Sequence, residues 1–290
     1  MVTAPSQVRP AGYGRAQAVF TVDVEDWFQV SAFDSHVSRS SWDTLESRVE
    51  RSTDRLLALC ADTGTTGTFF TLGWVAERFP ALVRRIAEQG HEVASHGYWH
   101  QRIPTLSEAE FRADVQRARA VLEDVSGSPV TGYRAPSFSL TDEVPWATRV
   151  LVEEGYQYDS SRFPIARPGY GTASGERVPH VLQTEAGALH EYPPAVWPVA
   201  GVQVPVAGGG WFRQFPAWLI HRGLDAVLQS GQPAVFYLHP WEVDPGQPRL
   251  PVGLLTRVRH YRGLGACEHR LRALLQRFEF TSFHHLFRAA

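Results

Sequence analysis

The sequence predicts an α/β protein built on parallel strands, and three observations carry that prediction. Short apolar runs of strand length alternate with segments of helical periodicity over most of the chain. The repeated strand–helix order places helices outside a parallel sheet. With 290 residues, of which 43% are hydrophobic and 20% charged, the chain is long enough for one large core, and the number of repeats favours a barrel.

Residues 18–24, AVFTVDV, read as the first strand, and 45–61 carry apolar residues at helical spacing up to a break at Gly64. Residues 67–72, GTFFTL, form the second strand, and 80–89 a helix with proline in its first turn and Gly90 just past its end. A third strand at 91–95 precedes a long helix at 106–125. A fourth strand at 129–133, a helix at 144–154 and a short fifth strand at 156–158 follow. From 162 to 210 the pattern breaks into Pro- and Gly-rich loops with short strands, and so long an irregular stretch inside a compact domain is usually functional. Helix 218–229, strand 234–239, helix 268–276 and strand 278–283 complete the reading. Residues 1–17 are expected to be a flexible segment and 18–290 a single domain.

Composition excludes several functions. The net charge of −2 gives no electrostatic footprint for nucleic acid. All 28 basic residues are arginine, which rules out Schiff-base and lysine-nucleophile chemistry. Cys60 and Cys267 lie far apart without metal-type spacing, as expected of free thiols in a reducing compartment. Neither a secretory signal nor a run of apolar residues long enough to span a bilayer is visible, so a cytoplasmic location is the expectation.

Polar clusters sit at the ends of the expected strands. SHGYWH sets His96 and His100 four residues apart, close enough in one turn or tight loop to share a metal ion. TVDVEDWF puts Asp23, Glu25 and Asp26 at the end of the first strand, and YRAPS, YDSS and LHPWE end three others. In a parallel barrel the C-terminal ends of the strands carry the active site, so these clusters converge on one rim.

The ordered set TVDVED, SHGYWH, GYRAP, YDSS and FYLHP, over residues 18–240, resembles the five motifs of the polysaccharide deacetylases with a NodB homology domain, carbohydrate esterase family 4. DVEDWFQV, GGGWFRQFP and FYLHPWEVDPGQPR further resemble the branch found beside exopolysaccharide and exosortase gene clusters. In that branch the C-terminal part, here 241–290, is a domain of unknown function. The resemblance implies a distorted (β/α) barrel of about seven parallel strands. It also implies one divalent ion, usually zinc, and hydrolysis of the N-acetyl group of an amino sugar in a polysaccharide or its lipid-linked precursor. By the same resemblance His96 and His100 are metal ligands, Asp23 is the general base and Arg134 its tether. His239 is then the general acid, Asp159 the residue that orients it, and the N–H of Ser137 a donor to the oxyanion.

Two departures from the family pattern matter. Ser137 stands where a tyrosine is usual, which alters the aromatic wall but keeps the main-chain donor. The first motif is stretched, leaving Glu25 or Asp26 as the third ligand. Strand alternation puts Asp23 and Glu25 on one face and favours Glu25, whereas a strand ending at Val24 would favour Asp26. Trp27, Tyr98, Trp99, Trp197, Trp211 and Trp241 are candidates to stack on sugar rings, and Arg213 to meet a substrate anion or to hold the fold by an ion pair. Two rival readings are an amidohydrolase of the related allantoinase-like branch and a catalytically silent carbohydrate-binding protein. The paired histidines oppose the first, and the presence of both Asp23 and His239 opposes the second.

Overall fold

The structure is a computed structural model that describes residues 17–165, 171–172 and 175–288. Of the segment expected to be flexible, only Gln17 is among them, and 166–170 and 173–174 of the irregular stretch also lie outside the described residues. The elements in order are β1 (Ala18–Val24), α1 (Val49–Thr63), β2 (Thr68–Thr71), α2 (Gly73–Arg78), α3 (Pro80–Glu88), β3 (Glu92–Ser95), α4 (Glu108–Ser126), β4 (Gly132–Tyr133), α5 (Pro145–Glu153) and β5 (Tyr158–Asp159). There follow β6 (His180–Thr184), β7 (Gly187–Glu191), β8 (Val196–Val199), β9 (Val202–Pro205), α6 (Gly209–Gln214), α7 (Ala217–Gln229), β10 (Ala234–Leu238), α8 (Leu254–Tyr261), α9 (Leu264–Arg277), β11 (Phe280–Thr281) and α10 (Phe283–Arg288).

Seven strands, in the spatial order β10-β1-β2-β3-β4-β5-β7, are parallel throughout, and β6 adds to β7 antiparallel. Every residue of β1 is buried, as a strand covered on both faces requires. The chain after β7 returns to β10, where Pro194 pairs with Val235 and Gly208 with Tyr237, so the sheet curls back on itself. Pro193 and Pro194 have no N–H to offer, and the closing seam is accordingly made of isolated pairs instead of a ladder. The distorted barrel expected from the motifs is thus observed.

The stretch 162–210 supplies more regular structure than its composition suggests: the β6–β7 hairpin, which includes the seventh barrel strand, and the β8–β9 hairpin. Four helices, Gly73–Arg78, Gly209–Gln214, Leu254–Tyr261 and Phe283–Arg288, were not expected, because they are short. The expected strand at 129–133 contracts to Gly132–Tyr133, where only Tyr133 pairs with Ser95.

Two ends of the barrel differ in kind. At the N-terminal end of the strands, Phe283 and Leu286 of α10 pack with Val19, Phe70, Ala94, Tyr158, Tyr192 and Val235, and so plug the interior. Glu92, partly buried, closes that floor by accepting from Thr68 Oγ1 (2.7 Å), Tyr158 OH (2.8 Å) and His284 N (2.8 Å). The opposite end carries the polar clusters.

The glycine run before α6 is a packing device. Gly208 has φ +128°, and a Cβ there would stand 1.8 Å from the carbonyl oxygen of Tyr237. Gly208→Ala is therefore expected to cost about 3 kcal/mol or more, from backbone strain plus a clash with fixed backbone. Gly64→Ala, with φ +63° but nothing within 4 Å, should cost only about 1–2 kcal/mol. Chemical denaturation of the two variants separates the strain from the clash.

Candidate metal and catalytic site

The metal-type cluster is assembled from the first and third strand ends. β1 stops at Val24, and the N–H of Glu25 turns back to the carbonyl of Asp23 (3.0 Å). Both carboxylates nevertheless face one space: His239 Nε2 lies 3.8 Å from Asp23 Oδ2 and 3.7 Å from Glu25 Oε1. After β3, residues 96–100 form a tight loop, not a helical turn. Asp114 of α4 pins it by accepting from the N–H groups of Tyr98 (2.8 Å) and Trp99 (3.1 Å). Gly97 has φ +73°, and a Cβ there would press on Asp114 at 2.8 Å, so the glycine inside SHGYWH is needed for the turn. His100 takes φ +50°, a left-handed conformation held by the same loop.

Each residue of Glu25, His96 and His100 offers a ligand atom, and these atoms lie within 4.8 Å of one another, all buried. His96 Nδ1 donates to the carbonyl of Arg134 (2.8 Å), which leaves Nε2 as its ligand atom. Burial lowers the His96 pKa to about 4, so the ring is neutral at pH 7, the form that binds metal. Glu25 Oε2 lies 2.6 Å from His100 Nε2, yet among the described residues no aligned hydrogen bond reaches it. Its other oxygen accepts from Trp241 Nε1 (2.9 Å). A buried carboxylate oxygen left open beside two imidazoles fits a divalent ion.

Asp26 does not join this cluster, although β1 ends where the alternative required. Its Oδ2 accepts from Ser47 Oγ (2.5 Å), Arg48 N (2.9 Å) and Val49 N (3.2 Å), capping the start of α1. The turn at Glu25 sends Asp26 outward to the helix instead of inward.

Beside the cluster runs a chain of charges. Arg134, wholly buried, donates from Nη1 to Asp23 Oδ1 (2.7 Å) and Thr21 Oγ1 (2.7 Å), and from Nε to the Ser160 carbonyl (2.9 Å). His239 follows β10, and the register pairs Val22 with Leu238, so Asp23 and His239 end neighbouring strands. His239 Nδ1 lies 2.8 Å from Glu242 Oε1, and Glu242 Oε2 accepts from Arg213 Nε (2.5 Å). Burial works against charge on His239, but Glu25, Glu242 and Asp23 outweigh it and raise its pKa to about 9.

This arrangement corrects one expectation and decides between two alternatives in another. The carboxylate on His239 Nδ1 is Glu242, not Asp159. Asp159 instead accepts from Ser161 N (3.0 Å) and Ser161 Oγ (2.6 Å) and faces Glu191, and burial pushes both carboxyl groups upward. Through Ser161, whose Oγ accepts from Ala135 N (2.7 Å), Asp159 steadies the Arg134 loop. Arg213 in turn is not available to a substrate. It is buried and, besides Glu242, donates to the carbonyls of Arg259, His260 and Arg262.

The aromatic candidates divide. Trp27, Tyr98 and Trp241 are buried packing residues, Trp241 lying between His239 and His260 with ring centroids 4.9 and 4.3 Å away. Trp99, Trp197 and Trp211 are partly exposed, Trp211 packing on Phe215 at 5.3 Å. Ser137 is partly exposed with φ +54°, and its hydroxyl meets Ser31 Oγ at 2.7 Å. Glu242 was missed by the motif reading. The signal was present as His-x-x-Glu in HPWE, the spacing of a capping box, which the structure forms.

Residues 33–158 match the family profile of the polysaccharide deacetylases, and residues 160–288 match a domain of unknown function, DUF3473. Among curated proteins, the chain is similar to a peptidoglycan-N-acetylglucosamine deacetylase of Bacillus cereus, 32% identical over 97 residues, which are 33% of this chain and 35% of that protein. It is also similar to a chitooligosaccharide deacetylase of Sinorhizobium fredii, 37% identical over 97 residues, 32% of this chain and 43% of that protein. The chain thus spans well under half the length of these curated relatives. A solved structure from Mycobacterium smegmatis, assigned as a polysaccharide deacetylase, shares the fold with a TM-score of 0.65 at 22% identity, covering 99% of this chain and 94% of that one. The site straddles the two matches: His96, His100 and Arg134 lie in the deacetylase part, His239, Trp241, Glu242 and Arg213 in the DUF3473 part, and Asp23 and Glu25 precede both. No helix among the described residues is long and apolar enough to cross a membrane.

Ion uptake tests the cluster. Glu25→Ala, His96→Ala and His100→Ala should each abolish stoichiometric binding of a divalent ion in calorimetric titration and elemental analysis. Asp26→Ala should bind the ion normally and lose about 1 kcal/mol of stability through its cap.

Proposed function

We propose that the protein is a metal-dependent hydrolase that removes N-acetyl groups from amino sugars of a polysaccharide or its lipid-linked precursor. The observation that carries this reading is the buried Glu25–His96–His100 cluster beside an Arg-tethered carboxylate and a carboxylate-held imidazole. Two imidazoles and one carboxylate, with positions left open, suit zinc. A divalent ion bound there supplies Lewis acidity, polarising the acetamide carbonyl and lowering the pKa of water.

The chain's own groups handle the protons. Asp23 takes the proton of the attacking water, and Arg134 holds the carboxylate in place through its 2.7 Å contact. His239, on the next strand, presents Nε2 to the same space and gives its proton to the departing amine. Its raised pKa keeps it an imidazolium at neutral pH. Base and acid stand close together, 3.8 Å from oxygen to nitrogen, and the acetyl group enters at the mouth above them. Ser137 N–H serves as the main-chain donor to the oxyanion, and among the described residues no acceptor within the chain engages it. Trp211, partly exposed at the edge of the glycine run, is assigned to the sugar. The reaction ends in acetate and a free amine.

The test is acetate release from N-acetylated glycans, including chitooligosaccharides, peptidoglycan fragments and acetylated exopolysaccharide, by metal-loaded protein. Asp23→Asn and His239→Ala should each lose at least about a hundredfold in kcat while retaining metal. The rate should fall as pH rises through the pKa of His239, which Glu242 and Asp23 hold above the ordinary imidazole value, and that limb should vanish in His239→Ala. Trp211→Ala should raise KM more than it lowers kcat. No acetate from any of these glycans would overturn the reading.

A further inference from the structure

We propose that Glu242, anchored by Arg213, is the positioning residue for His239, so that the DUF3473 part of the chain supplies the support of the catalytic acid. The proposal rests on the deacetylase reading above for its kinetic arm only. Its basis is geometric. Glu242 is wholly buried and serves three donors with two oxygens: Oε1 meets His239 Nδ1 at 2.8 Å and accepts from His239 N (3.1 Å), and Oε2 accepts from Arg213 Nε (2.5 Å). A carboxylate accepts on both oxygens, and no other side chain of this shape does so. The Nδ1 bond fixes the ring so that Nε2 faces Asp23 and Glu25. Trp241 completes the clamp, its ring stacked on His239 at an interplanar angle of 20° while its Nε1 reaches Glu25.

Arg213 keeps Glu242 from turning. Three of its four remaining N–H donors are taken by the carbonyls of Arg259, His260 and Arg262, at and just beyond the end of α8, so the guanidinium is fixed by main chain. Gly263 follows with φ +81°, and a Cβ there would stand 2.7 Å from the Arg213 carbonyl, so the backbone passes close beside this anchor. Residues 209–214 and 259–263 thus hold one carboxylate under one histidine. That gives a physical role to glycine- and arginine-rich sequence that no barrel strand requires.

Glu242→Gln is the informative variant, because it keeps volume while replacing one acceptor by a donor. The amide oxygen should turn to the charged Arg213, the stronger partner, leaving N–H against N–H at His239 Nδ1. We expect kcat to fall about 10- to 100-fold with KM and metal content near those of the parent protein, and thermal stability to drop because buried Arg213 loses its counter-charge. The His239 Nδ1 proton, followed by NMR in protein with labelled histidine, should shift out of its hydrogen-bonded position. Adding Arg213→Met frees the amide oxygen to face His239, so the double variant should recover the Nδ1 signal and part of kcat. A Glu242→Gln protein with parental kcat and an unmoved Nδ1 signal overturns the proposal, as does a double variant with no recovery in either. The NMR arm needs no turnover. A protein that releases no acetate but shows these shifts removes the deacetylase reading and leaves the positioning role standing.

Discussion

A guanidinium with no exposed surface lies at the heart of the barrel mouth, and its need for partners organises what surrounds it. Arg134 cannot be left unpaired at that depth, since an isolated buried charge is far costlier than a paired one. It meets that need with Asp23 and Thr21 on β1 and Ser160 after β5, while its plane lies over Phe70 at 4.2 Å. One side chain just after β4 therefore ties the ends of β1 and β5 together. Its own carbonyl fixes the tautomer of His96. The same residue thus sets the direction of a carboxylate and of an imidazole at the mouth of the barrel.

The site is also a joint between two stretches of chain that sequence comparison separates. Trp241 donates to Glu25 and stacks with His260, whose Nε2 meets Gln247 Oε1 at 2.7 Å and whose ring burial holds neutral, its pKa near 3. Asp244 binds Arg48 and Arg51 at the start of α1. These contacts make the C-terminal part continuous with the barrel wall, so its loss would expose the metal-type cluster to solvent on one side.

The barrel strands were legible because each is an apolar run with a polar end, and the polar ends were legible as a site because they recur at the same point of each repeat. Glu25 over Asp26 was readable from alternation, although the strand stops one residue sooner than alternation needs; the turn at Glu25 preserved the facing. What escaped reading depends on partners distant in sequence. Asp159 ends a strand as expected of an orienting acid, but its own Ser161 captures it two residues on. Arg213 is revealed as an anchor only once the carbonyls of 259, 260 and 262 are beside it. Tryptophans next to motifs gave no sign of which would be buried, because indole serves both packing and recognition.

The strand pairing has a consequence for how the molecule is made. Ala18 is flanked by Ala234 on one side and Phe280 on the other, and the barrel floor is sealed by Phe283 and Leu286. At ordinary rates of translation, the partners of this first strand emerge roughly 10–50 s after it does. During that interval β1, apolar along its whole length, has only β2 beside it. The nascent chain is therefore an open half-barrel with an exposed apolar strand until residues 280–288 have left the ribosome.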